Sequence, residues 1–270
     1  MEILKYLLLG VVHGVAEFLP VSSSGHLILT EKLLGVGEAT GGAFFNVMLH
    51  AATLVAVCVV YRKRLLSLLR HPFQKLMLYL IIGTVPTVAA AVLFKFISPF
   101  DAFYAAAEEG LFLGISFILT AVFLLLTDFA MGRKKGGRRR TGEEMTAKDA
   151  LSVGVMQAVG IFPGVSRSGA TVTGAALSGL DKSAAADFSF LLSIPAILGS
   201  LVLALKDALE EGVSVAAPNL IVGMLAAGVT GYFAVRFMIK LIKYKKLWGF
   251  AVYTGALGIA VCVLQGLGKL

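Results

Sequence analysis

Hydrophobic residues run along this chain in long, almost uncharged blocks rather than in the one-sided stripes of a soluble helix. Six blocks approach the roughly 20 apolar residues that span about 30 Å of hydrocarbon: Ala43 to Tyr61, Gln74 to Phe94, Gly110 to Thr127, Ala184 to Leu205, Ala216 to Val235 and Leu247 to Leu264. Two further segments are apolar for only about half that length and then break. Ile3 to Phe18 is followed by Pro20, three serines and Gly25, then by a short run from His26 to Leu34. Val153 to Phe162 is followed by Pro163-Gly164, a Ser-Arg-Ser turn, and Gly169 to Leu180. Each predicts a helix-turn-helix hairpin that dips into the membrane and returns, because backbone breaks at membrane depth are tolerated only where protein or a wet cavity surrounds them. The bland alternative, ordinary spans kinked at proline, would change the sidedness of the chain.

The two broken segments are one phrase written twice. Gly10 to His26 reads GVVHGVAEFLPVSSSGH and Gly154 to Ala170 reads GVMQAVGIFPGVSRSGA, with Gly10/Gly154, Phe18/Phe162, Val21/Val165, Ser22/Ser166, Ser24/Ser168 and Gly25/Gly169 identical at a constant offset of 144 residues. The copies differ where chemistry can reside: Glu17 matches Ile161, Ser23 matches Arg167 and His26 matches Ala170. One hairpin plus three spans makes an odd number of crossings per copy, so the second repeat is expected to be inverted and the two tips to meet near the midplane. The predicted fold class is therefore an all-α integral membrane protein, with six transmembrane helices plus two re-entrant helical hairpins in an inverted-topology repeat. It forms a single membrane domain: repeat one over 1–131, a basic loop over 132–149 and repeat two over 150–270.

Composition agrees. Of 270 residues 58% are hydrophobic and only 15% charged, and the mean hydropathy of +0.88 excludes a soluble globular domain. The N-terminus lacks a basic region and a small-residue cleavage pattern, so it does not read as a signal peptide. The net charge of +8 is explained by topology rather than by nucleic acid, because most basic residues cluster in Arg62 to Lys75, Arg133 to Lys148, Lys182 and Lys240 to Lys246. The hairpin topology puts all four clusters on one side, which the positive-inside rule makes cytoplasmic, with both termini outside. Asp101, Glu108, Glu109, Asp207, Glu210 and Glu211 fall in the opposite loops. Cys58 and Cys262 lie in spans and indicate no disulfide framework.

A helix N-terminus exposes unpaired N–H groups and a partial positive charge, which favour an anion. Ser22, Ser23 and Ser24 in the first tip, with Ser166 and Ser168 in the second, stand where such helices begin; plain capping and small-residue packing would also use serine there. Arg167 adds more, since an arginine at membrane depth costs about 2.5–3.5 kcal/mol and demands a partner or a function. Its planar fork suits a phosphate, and a salt bridge to Glu17 would be compatible with that role. Glu17 lies one turn after His13, on the same helix face, and fits proton transfer or a divalent metal. His26 falls three residues after Ser23 and is a candidate acid or base. His50, near Asn46 in a span, reads as a polar contact between helices, and His71 as a loop residue.

The phrases EFLPVSSSGHL from Glu17 and PGVSRSGAT from Pro163 closely resemble the two signatures of bacterial undecaprenyl-diphosphate phosphatases, the bacitracin-resistance family. FSFLLSIPAILG from Phe188 and GYFAVRF from Gly231 extend the resemblance over essentially the whole chain. It implies an enzyme of the bacterial cytoplasmic (inner) membrane that removes one phosphate from the C55 isoprenoid diphosphate, regenerating the carrier for peptidoglycan synthesis. It also implies catalytic roles for Glu17, Ser23 and His26, phosphate binding by Ser166, Arg167 and Thr171, and a divalent cation, Mg or Ca, as a candidate cofactor. His13 stands where the family usually has Glu or Gln, and a His and Glu pair suits magnesium poorly. Ser23 is the candidate nucleophile, with His26 or Glu17 accepting its proton; direct attack by His26, or by water activated by Glu17, is the runner-up. The expected partners are a polyprenyl diphosphate lipid, membrane lipids and a second copy in a homodimer, with no nucleic acid. A lipid flippase or secondary transporter built on the same inverted repeat is the alternative.

Overall fold

A computed structural model describes residues 2–35, 42–132, 138–211 and 216–270, all helices and connecting turns. The basic residues Arg133, Lys134 and Lys135 lie outside the described residues, as do the side chains of Asp207, Glu210 and Glu211. The first broken segment forms α1 (Glu2–Phe18) and α2 (Ser23–Leu34), and the second forms α8 (Ala147–Val159) and α9 (Arg167–Leu177). Between the pairs run α3 (Gly42–Val60), α4 (Arg62–Arg70), α5 (Lys75–Phe96), α6 (Phe100–Glu108) and α7 (Leu113–Gly132). After them come α10 (Lys182–Glu211), α11 (Ala217–Tyr244) and α12 (Trp248–Gly266).

Each of the six predicted blocks is a helix. Five, in α5, α7, α10, α11 and α12, are long and apolar enough by themselves to cross a membrane, and α3 reaches that standard together with α4, from which it is bent by 80°. The short α4 was not expected. Its sequence RKRLLSLLR is one-sided, with Leu68 buried and the basic residues exposed, so it turns away from α3 instead of continuing into hydrocarbon. Helix α8 begins six residues before the apolar run at Val153, because Thr146 and Asp149 close a capping box at its N-terminus.

The outward faces are apolar, as lipid requires. On α5, Leu78, Ile81, Val85, Val88 and Val92 form an exposed stripe at helical spacing, and Ile221, Leu225, Val229 and Phe233 do the same on α11. Lipid supplies no hydrophobic drive between helices, so close packing of small residues carries much of the association. The first arm of each hairpin is crossed by a helix of the other half in the same way. Gly10 of α1 meets the Gly223 carbonyl of α11, and Gly154 of α8 meets the Gly83 carbonyl of α5. Any side chain at either position would collide with backbone.

The last part of the basic loop is tied down as well as charged. Arg140 forms two 2.7 Å bonds to Asp149 at the start of α8 and donates to the Ser178 carbonyl at 2.6 Å, while Arg139 reaches the carbonyls of Ala130, Ala176 and Leu180. These residues fasten the end of α7 to both arms of the second hairpin.

Candidate active site

Both hairpin tips build their second arm on the same cap. Ser22 precedes α2 and accepts the Gly25 N–H at 3.2 Å; Ser166 precedes α9 and accepts the Gly169 N–H at 3.1 Å. A second serine lies beside each cap, with Ser22 and Ser24 hydroxyls 3.4 Å apart and Ser166 and Ser168 hydroxyls 3.3 Å apart. The tips then touch: Gly164 N–H donates to Ser24 Oγ at 3.2 Å and Ser168 Oγ donates to the Leu19 carbonyl at 3.3 Å. The N-termini of α2 and α9 are thereby brought to one place.

Glu17 is the hub of that place. Its side chain is almost wholly enclosed; Arg167 donates to Oε1 and Ser23 Oγ donates to Oε2 at 2.5 Å. Arg167 also donates to the Ser193 carbonyl at 3.2 Å, so one guanidinium joins α9, α1 and α10. Glu17, Arg167, Ser168, Thr171, Ser189 and Ser193 line a small pocket. Thr171 is buried and its hydroxyl lies 3.0 Å from the Arg167 carbonyl and 3.2 Å from that of Ser168. Ser166 is fixed from the other side, its N–H donating to Thr120 of α7 at 3.0 Å.

The structure therefore gathers Glu17, Ser23, Arg167, Ser168 and Thr171, with the Ser22, Ser24 and Ser166 hydroxyls at the surrounding turns. His13 is fully buried, its Nε2 lying 3.9 Å from Glu17 Oε2. His26 makes its bonds elsewhere. Its Nδ1 lies 2.7 Å from the Ser22 carbonyl, which can only accept, so Nδ1 carries the proton and Nε2 accepts from the Tyr253 hydroxyl at 2.7 Å. The ring stacks on Tyr253 and meets Phe117 edge-on.

Four neighbours were not singled out as site residues from sequence. His50 does make an interhelical polar contact, but to Glu17, with Nδ1 3.3 Å from Oε2. Ser189 and Ser193, one helical turn apart in the apolar run of α10, were legible as a polar pair on one face. Tyr253 carried no comparable signal, because a tyrosine in a span is usually a packing residue.

Fold and site together define a multi-pass helical membrane protein in which two broken helices unite a buried carboxylate, a guanidinium and a cluster of hydroxyls at paired helix N-termini. Within that class the chain belongs to the family described as Bacitracin resistance protein BacA, whose pattern matches residues 6–260. It is 43% identical to the undecaprenyl-diphosphatase of Carboxydothermus hydrogenoformans over the full length of both chains. It is 42% identical to undecaprenyl-diphosphatase 4 of Bacillus thuringiensis subsp. konkukian over 98% of each, and 34% identical to the undecaprenyl-diphosphatase of Halothermothrix orenii over 99% of this chain and all of the relative.

Proposed function

We propose that this protein hydrolyses undecaprenyl diphosphate to undecaprenyl phosphate and inorganic phosphate, recycling the lipid carrier for peptidoglycan synthesis and conferring bacitracin resistance. The observation that carries the reading is the Ser23–Glu17–Arg167 chain of contacts at two converging helix N-termini. Family membership and the relatives' names support the same chemistry.

Phosphoryl transfer asks a protein chiefly for positioning and charge stabilisation. Arg167, Thr171 and the free N–H groups of α2 and α9 hold the diphosphate. Ser23 attacks the terminal phosphorus, and its proton passes to Glu17, to which its hydroxyl is already bonded. Undecaprenyl phosphate leaves, and water then releases phosphate from the serine. His26, fixed by Tyr253, borders the site and orients the start of α2. The isoprenoid tail needs no soluble pocket, since the exposed apolar faces lie against lipid. Magnesium and calcium, the candidate cofactors, prefer all-oxygen donors, whereas the further donors facing Glu17 Oε2 besides Ser23 are the imidazoles of His13 and His50, which suit those ions poorly.

The matched glycine crossings and matched caps support an inverted repeat, with six spans and two re-entrant hairpins. The protein then sits in the cytoplasmic (inner) membrane with basic loops inside and both termini outside, and a homodimer is compatible with its exposed apolar faces. Cysteine labelling at Lys5 and Lys269 tests the sidedness. Phosphate release from a polyprenyl diphosphate by purified protein in detergent tests the function. Unchanged rates in Arg167→Ala and Glu17→Ala would overturn the site, unchanged rates in Ser23→Ala only the nucleophile. Transport of labelled lipid across proteoliposomes without hydrolysis would favour the flippase or transporter reading instead.

A further inference from the structure

Neither nitrogen of His13, which is 0% exposed, has a hydrogen-bond partner, and His50 Nδ1 has only its 3.3 Å ion-pair approach to Glu17 Oε2, which does not meet hydrogen-bond geometry. Every imidazole carries at least one N–H, and leaving such a donor buried and unsatisfied costs about 1–3 kcal/mol. A buried orphan of this kind calls for a water or an ion. The orphans converge. His13 Nε2 lies 3.9 Å and His50 Nδ1 3.3 Å from Glu17 Oε2, one donor atom from each residue falls within 4.8 Å of the others, and the two rings cross at 79° with centroids 4.4 Å apart.

We infer that His13, Glu17 and His50 form a binding site for one divalent first-row d-block cation such as cobalt(II) or zinc(II). With metal–ligand bonds of about 2.0–2.1 Å, ligand atoms around a tetrahedral ion stand roughly 3.3 Å apart, so the His50–Glu17 separation of 3.3 Å already fits, while His13, 3.9 Å from Glu17, must close in on both partners when the ion binds. Two imidazoles and one carboxylate select such ions over magnesium or calcium, and three protein ligands leave a coordination position open. The donors lie on firm elements: His13 and Glu17 one turn apart on α1, which is locked against α11 at Gly10, and His50 on α3, which packs on both. Arg167 on Oε1 opposes a cation, and Ser23 occupies one direction of Oε2, so Glu17 contributes a single remaining lone pair. The nearby guanidinium makes the site weaker than an isolated one of the same ligands, and an anion bound at the tips would offset that repulsion.

The inference rests on this geometry and not on the phosphatase reading, so it is tested without substrate. Full-length protein without a polyhistidine tag, stripped with chelator and kept in detergent, is titrated with cobalt(II). One equivalent per chain is expected, with the visible absorption of a four- or five-coordinate ion, imidazole scattering at the cobalt edge, and displacement by zinc(II) but not by excess magnesium. His13→Gln and His50→Gln should each weaken cobalt binding more than about 100-fold, beyond what losing an outer hydrogen-bond partner of a ligand costs. His71→Gln, altered in an exposed loop, should bind as the parent does. Failure of folded parent protein to take up one equivalent, or unchanged affinity in both site variants with melting and elution like the parent's, would overturn it.

Discussion

At Ser22 and Ser166 the two hairpins begin their second arms alike, each hydroxyl accepting the N–H three residues on, yet φ is 73° at Ser22 and −76° at Ser166. The second tip turns instead on Gly164, with φ 82°, which matches Pro20 in the first. A proline cannot adopt positive φ, so the first tip places its left-handed residue two positions later, on a serine, where strain of this kind costs about 1–3 kcal/mol. The side chains part at the same turn: tip one contributes Glu17 and Ser23, tip two the cation Arg167 and, at the place of Glu17, the apolar Ile161. The repeat supplies two capped helix starts, and divergence at a few positions gives one tip a carboxylate and a hydroxyl and the other a guanidinium, which in the proposed mechanism serve as reacting groups and clamp.

The largest effect that could break this comparison concerns the cross-tip pair. Arg167→Ala should lower phosphate release about 10²–10³-fold, the usual result of removing one preorganised donor. It also leaves Glu17 as an unpaired buried charge, at about 3–5 kcal/mol of stability. The double variant Glu17→Ala/Arg167→Ala should regain much of that stability in thermal melts and still release no phosphate. Recovery of activity in the double variant would reduce the pair to a structural strut.

Next come the matched crossings. Gly10→Val and Gly154→Val should each destabilise the protein by about 1–3 kcal/mol or more, since each side chain would meet a carbonyl and a well-packed helix has no room to give. Comparable losses in detergent melts are expected, and tolerance of only one substitution would undo the equivalence of the hairpins. A smaller change tests what tip one has that tip two lacks. Tyr253→Phe removes the donor to His26 Nε2, worth about 1 kcal/mol, and should lower turnover about fivefold with little change in folding.

The smallest effect is the most selective. Ser166→Gly should cost a few tenths of a kcal/mol through loss of the cap side chain. Ser22→Gly loses the same cap but relieves a positive φ, so its melting temperature should equal or exceed the parent's. Equal losses at both positions would show that the Ser22 backbone carries no strain.

Much of this was legible along the chain because it is local. Six apolar blocks and two Pro- and Ser-interrupted half-blocks follow from the thickness of hydrocarbon and from what breaks a helix, and the structure has a helix at each. The prediction that Glu17, Ser23 and Arg167 belong together also came from sequence, since mismatches between copies of a repeat mark where their tasks differ. Other boundaries depended on weaker signals, such as the capping box that starts α8 early and the one-sided α4 that leaves the line of α3.

What only the tertiary structure decided is which polar group faces which. Rotation of each helix about its axis is set by where small residues let backbones meet, as at Gly10 with Gly223 and Gly154 with Gly83, and no local periodicity encodes those partners. That rotation turns His50 to Glu17 and gives His26 to Tyr253, and it brings Ser189 and Ser193 to the pocket of Arg167. Sequence by itself determined that this is a membrane protein of duplicated broken helices with an acid in one tip and a guanidinium in the other; packing determined the contacts through which they act.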